Sequence, residues 1–404
     1  MREKIGTWRL PPCPPYDVEG TESWLGDMAS DGWMLRRDGF FLGVASFEKG
    51  EPAAVRYRLE AAPRQVSTWD DNGGNPDDEA VELNAEYGWE YVARRGQFYI
   101  YRNDCAGDRE MNTDPQVQAL AIKTLQKRQI DHFCMLLFWL VVYPLLHFWK
   151  GASLVLTAAE AGLAVVILPV LIALWMVTDG IIEIIHLQKL KKKLQSGSPL
   201  DHQKNWKNGA TAYYGKKLLK VFLVVLWIVL MLRTWNRDIM DADKQKHSSY
   251  RGELPFATME DFAEGIYHET WDDLRFNNVS EWQNAVVDQG IEWVEHAEVK
   301  RSDGSALDGG LYLTYYDAKT EWLAGVIMSE LHRVDRVKAG KNYEILDCPD
   351  YGLDSVMSYR NELHFPCVVF RRGQVVIHAF FYQTGQSEPI PLEEWAGRIA
   401  DSIK

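Results

Sequence analysis

Three apolar runs in the middle of the chain constrain its fold more than any other feature. They occupy residues 132–149, 161–178 and 218–234, and the first has no formal charge when its histidines are neutral. An α-helix of about 20 residues crosses the hydrocarbon core of a bilayer. The third run is short, but Lys220 and Arg233 bracket it, and their long side chains can reach the two membrane interfaces. We therefore predict three membrane-spanning helices, at about 132–150, 161–180 and 218–234.

Charge is distributed unevenly around these runs and predicts their orientation. Residues 1–131 contain 16 Lys/Arg and 23 Asp/Glu, residues 132–233 contain 11 and 4, and residues 234–404 contain 17 and 30. The loop at 187–217 alone has eight lysines and one aspartate. Basic loops stay on the cytoplasmic side during insertion. We predict a multi-pass plasma-membrane protein with a cytoplasmic N-terminus and an extracytoplasmic C-terminal domain, unless the third run fails to cross.

The same charges limit the classes of partner. The lysines of 187–217 form a retention signal that can also contact anionic lipid headgroups, and a dedicated lipid or protein switch is the alternative. The first 20 residues lack the apolar core of a secretory signal, so we expect the run at 132–149 to act as an uncleaved insertion signal. Both flanking modules are acidic, so we predict no nucleic-acid binding.

The N-terminal module contains a short motif twice. Gly32 and Trp33 recur as Gly88 and Trp89, each pair after a segment with helical spacing of apolar residues. A glycine at this point ends a helix cheaply, and the tryptophan packs under the cap or, alternatively, forms a ligand clamp. A strand-like segment at 39–47 leads through a turn at "EKGEP" to another at 54–60, and 89–102 has the pattern of a hairpin about Arg95-Gly96. We predict a duplicated α-β-β cytoplasmic domain over 1–115, with its helices on one face of a small antiparallel sheet, and a basic juxtamembrane linker over 116–131.

Four segments of this module carry a family resemblance. The segments "YDVEGTESWLGDMASDGWML", "FEKGEP", "VRYRLE" and "EYGWEYV" resemble the domain-of-unknown-function 2812 (DUF2812) family of bacterial membrane proteins over about residues 14–115. The resemblance implies a domain that precedes transmembrane helices, in members that neighbour PadR-type transcriptional regulators, mostly in Gram-positive bacteria. It implies no catalytic residues.

The C-terminal module, 234–404, has the pattern of an extracytoplasmic α+β domain. We predict a capped helix over 258–267, two strands in "IEWVEHAEVKR" and "GLYLTYYDA", and a helix in "EWLAGVIMSELHRV". A hairpin about Arg372-Gly373 and an amphipathic helix in "LEEWAGRIADSI" complete it. Together with the membrane helices, these elements predict an α+β multi-domain membrane protein.

Cysteines and ionisable residues offer little chemistry. Cys348 and Cys367 lie on the predicted outer side, where they form either a disulfide or two buried thiols. Asp179, Glu183 and His186 share a helix face at the end of the second run. Such a triplet serves as a metal site only with ligands from other helices, so we interpret it as a polar helix end at the membrane interface. The chain contains no common catalytic motif, and we expect no cofactor and no metal.

Three functions follow from this layout. The favoured one is a non-enzymatic adaptor or signal transducer that couples an outer sensing domain to a cytoplasmic protein. A homo-oligomer of the chain is compatible with this function. The second is an accessory subunit of a transporter, for which Glu160 or Asp179 would lie in an oligomeric core. The third is an envelope enzyme whose dispersed residues would be His364, His378, Asp347 and Glu362.

Overall fold

A computed structural model describes most of the chain, namely residues 6–41, 43–62, 75–105, 110–111, 114–240, 243–271, 273–384 and 390–403, apart from the side chains of 235–240. It divides into two compact units. The first comprises Met1–Leu140 and Ile172–Leu223, and the second comprises Val141–Leu171 and Val224–Lys404. Each contains both helices and antiparallel strands, which confirms the predicted α+β class.

The first unit begins with two small antiparallel sheets of identical strand order. The first sheet has the order β1-β3-β2 and the second has the order β4-β6-β5. In each, a strand is followed by a helix and then by a hairpin whose second strand lies in the centre. The elements are β1 (Gly6–Arg9), α1 (Val18–Ser30), β2 (Trp33–Phe41), β3 (Val44–Lys49), β4 (Arg56–Ala61), α2 (Asp78–Glu86), β5 (Glu90–Arg95) and β6 (Phe98–Asn103).

This arrangement differs from the predicted one in two ways. The segment 39–47 is not one strand but the closing part of the β2–β3 hairpin, and β4 pairs with β6 rather than with β3. Residues 54–60 therefore open the second sheet instead of completing the first. An alternating apolar pattern identifies a strand but not its partner, which explains the error.

Glycines end both helices of this region. Gly32 and Gly88 have φ values of 82° and 80°, which residues with a Cβ rarely adopt. The amide of each donates to a helical carbonyl at 2.9 Å, Ala29 O and Ala85 O respectively. The tryptophans that follow have different environments, since Trp89 is fully buried and Trp33 is half-buried.

Long helices make up the middle of the chain. They are α3 (Pro115–Trp149), the short α4 (Leu154–Ala161), α5 (Leu163–Gln195) and α6 (Lys207–Met240). Among the described residues, α3 and α5 are long and apolar enough to cross a membrane, and α6 does not meet that measure. Their apolar windows are 0% and 6% buried, whereas the core helix of a soluble protein is mostly buried.

The predicted linker at 116–131 is helical and belongs to α3. Its apolar side chains pack in the first unit against the end of α5, with Ile122 and Leu125 next to Leu187 and Leu190. The linker is therefore a structural part of the first unit rather than a spacer.

The second unit is built on one large antiparallel sheet. Its order is β11-β12-β13-β14-β10-β9-β7, and β8 also pairs with β9. Residues of opposite parity form two cores, one under α8 and the other under α7 and α4, so the two long helices cover opposite faces. The elements are β7 (Ile266–Glu269), β8 (Asn278–Trp282), β9 (Val287–Lys300), β10 (Ala306–Ala318), α7 (Glu321–Ala339), β11 (Glu344–Ile345), β12 (Ser355–Arg360), β13 (Pro366–Arg372), β14 (Val375–Thr384) and α8 (Leu392–Ser402).

Most predicted elements of this unit are present, with one exception. The helices α7 and α8 and the β13–β14 hairpin occur where the sequence placed them. The helix predicted over 258–267 is only a turn, Met259–Asp261, followed by β7. Thr258 does cap this turn, since its amide donates to Asp261 Oδ2 at 2.8 Å. A good cap starts a helix but does not supply the packing that extends it.

Candidate functional site

A cluster of three ionisable side chains lies between α7 and the sheet of the second unit. Asp335 comes from the fourth turn of α7, Cys367 from β13 and His378 from β14. The hairpin register pairs Val369 with His378 and Cys367 with Phe380, so Cys367 and His378 are diagonal neighbours on one face of the sheet. That face is the one that α7 covers. We call Asp335, Cys367 and His378 the outer cluster.

The three reactive atoms of the outer cluster are close together. His378 Nε2 lies 2.9 Å from Asp335 Oδ2 and 3.1 Å from Cys367 Sγ, and the sulfur lies 3.9 Å from the same Asp335 oxygen. The thiol of Cys367 is fully buried, whereas the side chains of His378 and Asp335 are 18% and 16% exposed. The imidazole nitrogen is therefore shared between a thiol and a carboxylate, and solvent reaches the cluster only from the side of these two groups.

Burial and charge act in opposite directions on this cluster. Burial disfavours the imidazolium of His378, but the charge of Cys367 and the hydrogen bond that His378 donates to Asp335 raise the pKa of His378 well above its usual range. Burial likewise opposes ionisation of Asp335, yet the hydrogen bond and charge of His378 lower the pKa of that carboxyl. Both shifts favour the charged form of the His378–Asp335 pair.

Aromatic and polar neighbours hold Asp335 in place. The Tyr359 hydroxyl donates to Asp335 Oδ2 at 2.9 Å. His332, one turn earlier on α7, contacts Tyr359 with a centroid separation of 5.5 Å and reaches the Tyr343 hydroxyl at 2.5 Å. The carboxylate is therefore fixed from two directions, by the sheet and by its own helix.

This geometry differs from that of a nucleophilic relay. In such a relay, the two nitrogens of the histidine contact the nucleophile and the acid separately. Here the single nitrogen Nε2 faces both Cys367 and Asp335, and the thiol is buried. The same arrangement directs one sulfur, one nitrogen and one oxygen toward a common point, as metal ligands are directed.

The helix that carries Asp335 also binds the segment between α3 and α5. Arg333 Nη2 donates to Ala152 O at 2.8 Å, and its guanidinium lies 4.1 Å from the centroid of the Phe148 ring. Ser153 Oγ donates to Glu330 Oε2 at 2.6 Å. Arg333 and Glu330 also pair with each other at 2.8 Å. The Arg333 hydrogen bond lowers the pKa of Glu330, to which Ser153 and the arginine charge add.

Helix α4 completes this contact. Ala158 and Ala159 are buried in the apolar core under α7. The Ala159 carbonyl accepts from Trp282 Nε1 at 2.9 Å and from Asn284 Nδ2 at 2.7 Å. The Tyr316 hydroxyl donates to Glu160 at 2.8 Å. We call the contacts of residues 148–160 with α7 and the sheet the outer clasp.

The predicted loop at 187–217 consists of the end of α5, a connection at 196–206 and the start of α6, and it contacts α1 in the first unit. Its side chains contact four acids on or just before α1. The pairs are Lys193 with Glu19 at 2.6 Å, Lys204 with Asp17 at 2.7 Å, His202 with Glu22 at 2.5 Å, and Trp206 with Asp27 at 3.0 Å. We call these contacts the inner clasp.

The outer cysteines do not pair with each other. Cys348 and Cys367 are both free thiols, with Cys348 Sγ 3.5 Å from the Tyr351 hydroxyl and Cys367 beside His378. The alternative of two thiols is therefore the one found, with Cys367 fully buried and Cys348 partly so.

The other predicted site residues are dispersed. In the described part of the chain, Asp179, Glu183 and His186 form no group with metal-ligand spacing. Asp179 pairs instead with Lys220 at 2.9 Å, and His186 contacts the Tyr16 ring. Of the four residues named for an outer enzyme, only His378 joins the cluster. The others, His364, Asp347 and Glu362, are exposed.

Two sequence features could have indicated the outer cluster. A two-residue turn after Arg372 fixes the hairpin register, and that register alone places Cys367 and His378 on one face. The spacing of His332 and Asp335 also places both on the sheet side of an amphipathic α7. The meeting of Asp335 with the hairpin required the docking of the helix, which no local pattern specifies.

Comparisons with known proteins reach only the N-terminal part of the chain. No curated protein and no solved structure matches the chain. A family model described as "Protein of unknown function (DUF2812)" matches residues 17–134, from the start of α1 into the apolar part of α3. The N-terminal region of this chain, residues 17–134, is therefore similar to the DUF2812 family.

Proposed function

We propose that the chain is a non-enzymatic membrane adaptor that transmits the state of its outer C-terminal domain to a cytoplasmic protein bound by its N-terminal domain. The observation that carries the proposal is the double role of α7. Asp335 of this helix belongs to the outer cluster, and Arg333 and Glu330 hold the outer clasp. Five residues of α-helix separate Glu330 from Asp335, about 7.5 Å along the axis. A displacement of α7 at the cluster is therefore also a displacement at the clasp.

The two clasps support a three-span topology. Residues 148–160 bind the C-terminal domain, and the end of α5 with the connection to α6 binds α1 of the N-terminal domain. Each loop contacts a folded domain within its own unit, so each shares that domain's side of the membrane. Exposed apolar windows on α3 and α5 and the 34-residue length of α6 support three crossings.

The two halves of the N-terminal domain have the same layout. Its two sheets share the order of strand, helix and hairpin, and each helix ends at a glycine followed by tryptophan. We propose that the two halves derive from one repeated unit.

The alternatives have less support. Glu160 accepts a hydrogen bond from Tyr316, and Asp179 pairs with Lys220. Both acids therefore have a partner within their own unit, and neither needs an oligomeric core to supply one. An enzyme acting through Cys367 would need access to a fully buried thiol. Neither observation favours a transporter subunit or an envelope enzyme over the adaptor.

Sidedness of the two units tests the proposal. Single cysteines replace the exposed Ser302 and Ser196 in a background with Cys105→Ser, Cys134→Ser and Cys348→Ser, which keeps the buried Cys13 and Cys367. An impermeant thiol reagent is applied to intact cells and to lysed cells. We expect Ser302→Cys to react in intact cells, Ser196→Cys to react only after lysis, and the background to stay unlabelled. Equal labelling of both positions in intact cells would refute the topology and with it the adaptor.

A further inference from the structure

We propose that Asp335, Cys367 and His378 form a binding site for a zinc-class divalent cation, and that this cation is the signal that the outer domain senses. The binding site stands on the geometry of the outer cluster alone. The sensing role rests on the proposed function.

The donor set selects the class of ion. A thiolate sulfur, an imidazole nitrogen and a carboxylate oxygen are the three donor types that zinc accepts in proteins. Calcium and magnesium prefer sites made only of oxygen ligands. A thiolate and a carboxylate together offset the charge of a divalent ion, while a neutral imidazole adds a strong donor without further charge.

Donor separations match those of a tetrahedral site. Zinc bond lengths of about 2.0–2.3 Å place tetrahedral N–O, N–S and O–S pairs about 3.4 to 3.6 Å apart. The corresponding separations in the cluster are 2.9, 3.1 and 3.9 Å. Each changes by about 0.5 Å or less when an ion enters. Rotations of the side chains supply such shifts without any change in the strand register.

The surroundings resemble those of a functional metal site. Tyr359 donates to the ligand oxygen of Asp335, and such outer contacts orient metal ligands. Three separate elements, α7, β13 and β14, supply the ligands. The side chains of His378 and Asp335 are partly exposed, so two of the three ligands lie at the surface of the domain.

Binding changes the contact that holds α7 to the sheet. In the metal-free cluster, Asp335 is tied to His378 by a direct contact. An ion replaces this contact with two bonds to itself, one from Asp335 and one from His378. The part of this change that side-chain rotation does not take up displaces α7 relative to β14. Because Arg333 and Glu330 lie on the same helix, the outer clasp experiences the displacement.

Cobalt(II) binding to the full-length protein in detergent tests the site. Protein stripped with a chelator is titrated with cobalt, which reports thiolate ligation through a charge-transfer absorption and tetrahedral geometry through its visible bands. We expect one cobalt per chain, displaced by zinc. Cys367→Ser should abolish the charge-transfer band, and His378→Gln and Asp335→Asn should weaken binding at least about 100-fold, more than the 10-fold to 100-fold typical of outer-contact losses such as Tyr359→Phe.

Cys348→Ser is the matched control, because it removes the other thiol of the same domain and leaves the cluster intact. It should bind cobalt as the unsubstituted protein does. A titration of the unsubstituted protein without a thiolate band, or loss of the band in Cys348→Ser, would overturn the site. Circular dichroism shows whether the ligand variants fold. If they do not, the cobalt spectra of the unsubstituted protein and of Cys348→Ser still test the site.

Hydrogen exchange separates the two parts of the proposal. Cobalt or zinc binding that changes amide exchange in α4 supports sensing. Stoichiometric binding without a change in α4 would keep the metal site and refute the sensing role. Absence of binding in a protein that shows the expected sidedness would remove the site and leave the adaptor proposal standing.

Discussion

The two clasps hold their loops by different physics. Ion pairs dominate the inner clasp, and Lys193 and Lys204 are 38% and 35% exposed. The outer clasp combines hydrogen bonds to backbone carbonyls with apolar burial, including Ala159, which is fully buried. Exposed ion pairs contribute little to stability and weaken in salt. Buried apolar contacts contribute more and do not depend on charge screening. The lysine pairs of the inner clasp should therefore weaken in salt, whereas the apolar part of the outer clasp should not.

This difference also bears on the lipid contact predicted for 187–217. Lys193 and Lys204 are engaged with acids of the N-terminal domain. We therefore expect anionic lipid, if it contacts this segment, to compete with the N-terminal domain for Lys193 and Lys204.

A buried charge in α4 should have the largest effect on either clasp. Ala159→Asp places a carboxylate in the apolar core under α7, at a cost of about 3 kcal/mol or more. We expect the free energy of local opening of α4, measured by hydrogen exchange, to fall by that amount. Thr157→Asp, at an exposed position of the same helix, should have little effect. Equal effects of the two variants would show that α4 does not pack as described.

Loss of Glu22 should be the largest single effect in the inner clasp. Its carboxylate is 1% exposed and accepts from the Leu59 amide at 2.7 Å as well as from His202. Glu22→Ala leaves these donors unsatisfied and should destabilise the first unit by about 1–3 kcal/mol in thermal or chemical denaturation. Glu22→Gln retains an acceptor and should cost less. A neutral outcome for Glu22→Ala would contradict the burial of this contact.

Removal of Arg333 should weaken the outer clasp moderately. Arg333→Ala loses the Phe148 contact and the hydrogen bond to Ala152, worth about 1–2 kcal/mol together. Arg333→Lys should recover only part, because an ammonium lacks the planar stacking surface. The measurement is hydrogen exchange of residues 150–160. Arg336→Ala, at an exposed position on α7, serves as control and should leave this exchange unchanged.

Acid should loosen the outer clasp through Glu330. Its folded pKa lies below the unfolded value of about 4.3, chiefly because of Arg333. The stabilisation is therefore present above about pH 4.3 and is lost as pH falls through the folded pKa. We expect the opening of residues 150–160 to become easier by roughly 1 kcal/mol in acid. Glu330→Gln should remove this pH dependence, and its persistence in that variant would assign it to another group.

Salt should have the smallest of these effects, and it should distinguish the inner clasp from the outer clasp. Raising the ionic strength from about 0.1 to 1 M shortens the screening length from about 10 to 3 Å. Hydrogen exchange around Lys193 and Lys204 should become faster, because the free energy of opening should fall by about 0.2–1 kcal/mol per ion pair. Exchange in α4 should not change. The double variant Lys193→Ala, Lys204→Ala should lose the response. A salt response of α4 as large as that of the loop would remove the distinction between the clasps.

The sequence predicted individual helices and strands better than the contacts between them. The apolar periodicity of α7 and the turn at Arg372-Gly373 led to the correct helix and hairpin. The pairing of β4 with β6 was missed because a strand pattern carries no information about its partner. Asp335 was missed for the same reason. It lies on a helix, 43 residues before His378 in the chain, and only the packing of α7 on the sheet brings the two together.

Coupling between the outer cluster and α4 is the central claim, and hydrogen exchange of the full-length, metal-free protein tests it most directly. The comparison is between His378→Gln, which breaks the contact with Asp335, and His364→Gln, at an exposed position in the same domain. We predict that His378→Gln accelerates exchange in both α7 and Leu154–Ala161, and that His364→Gln changes neither. Faster exchange in α7 with no change in Leu154–Ala161 would contradict the claim.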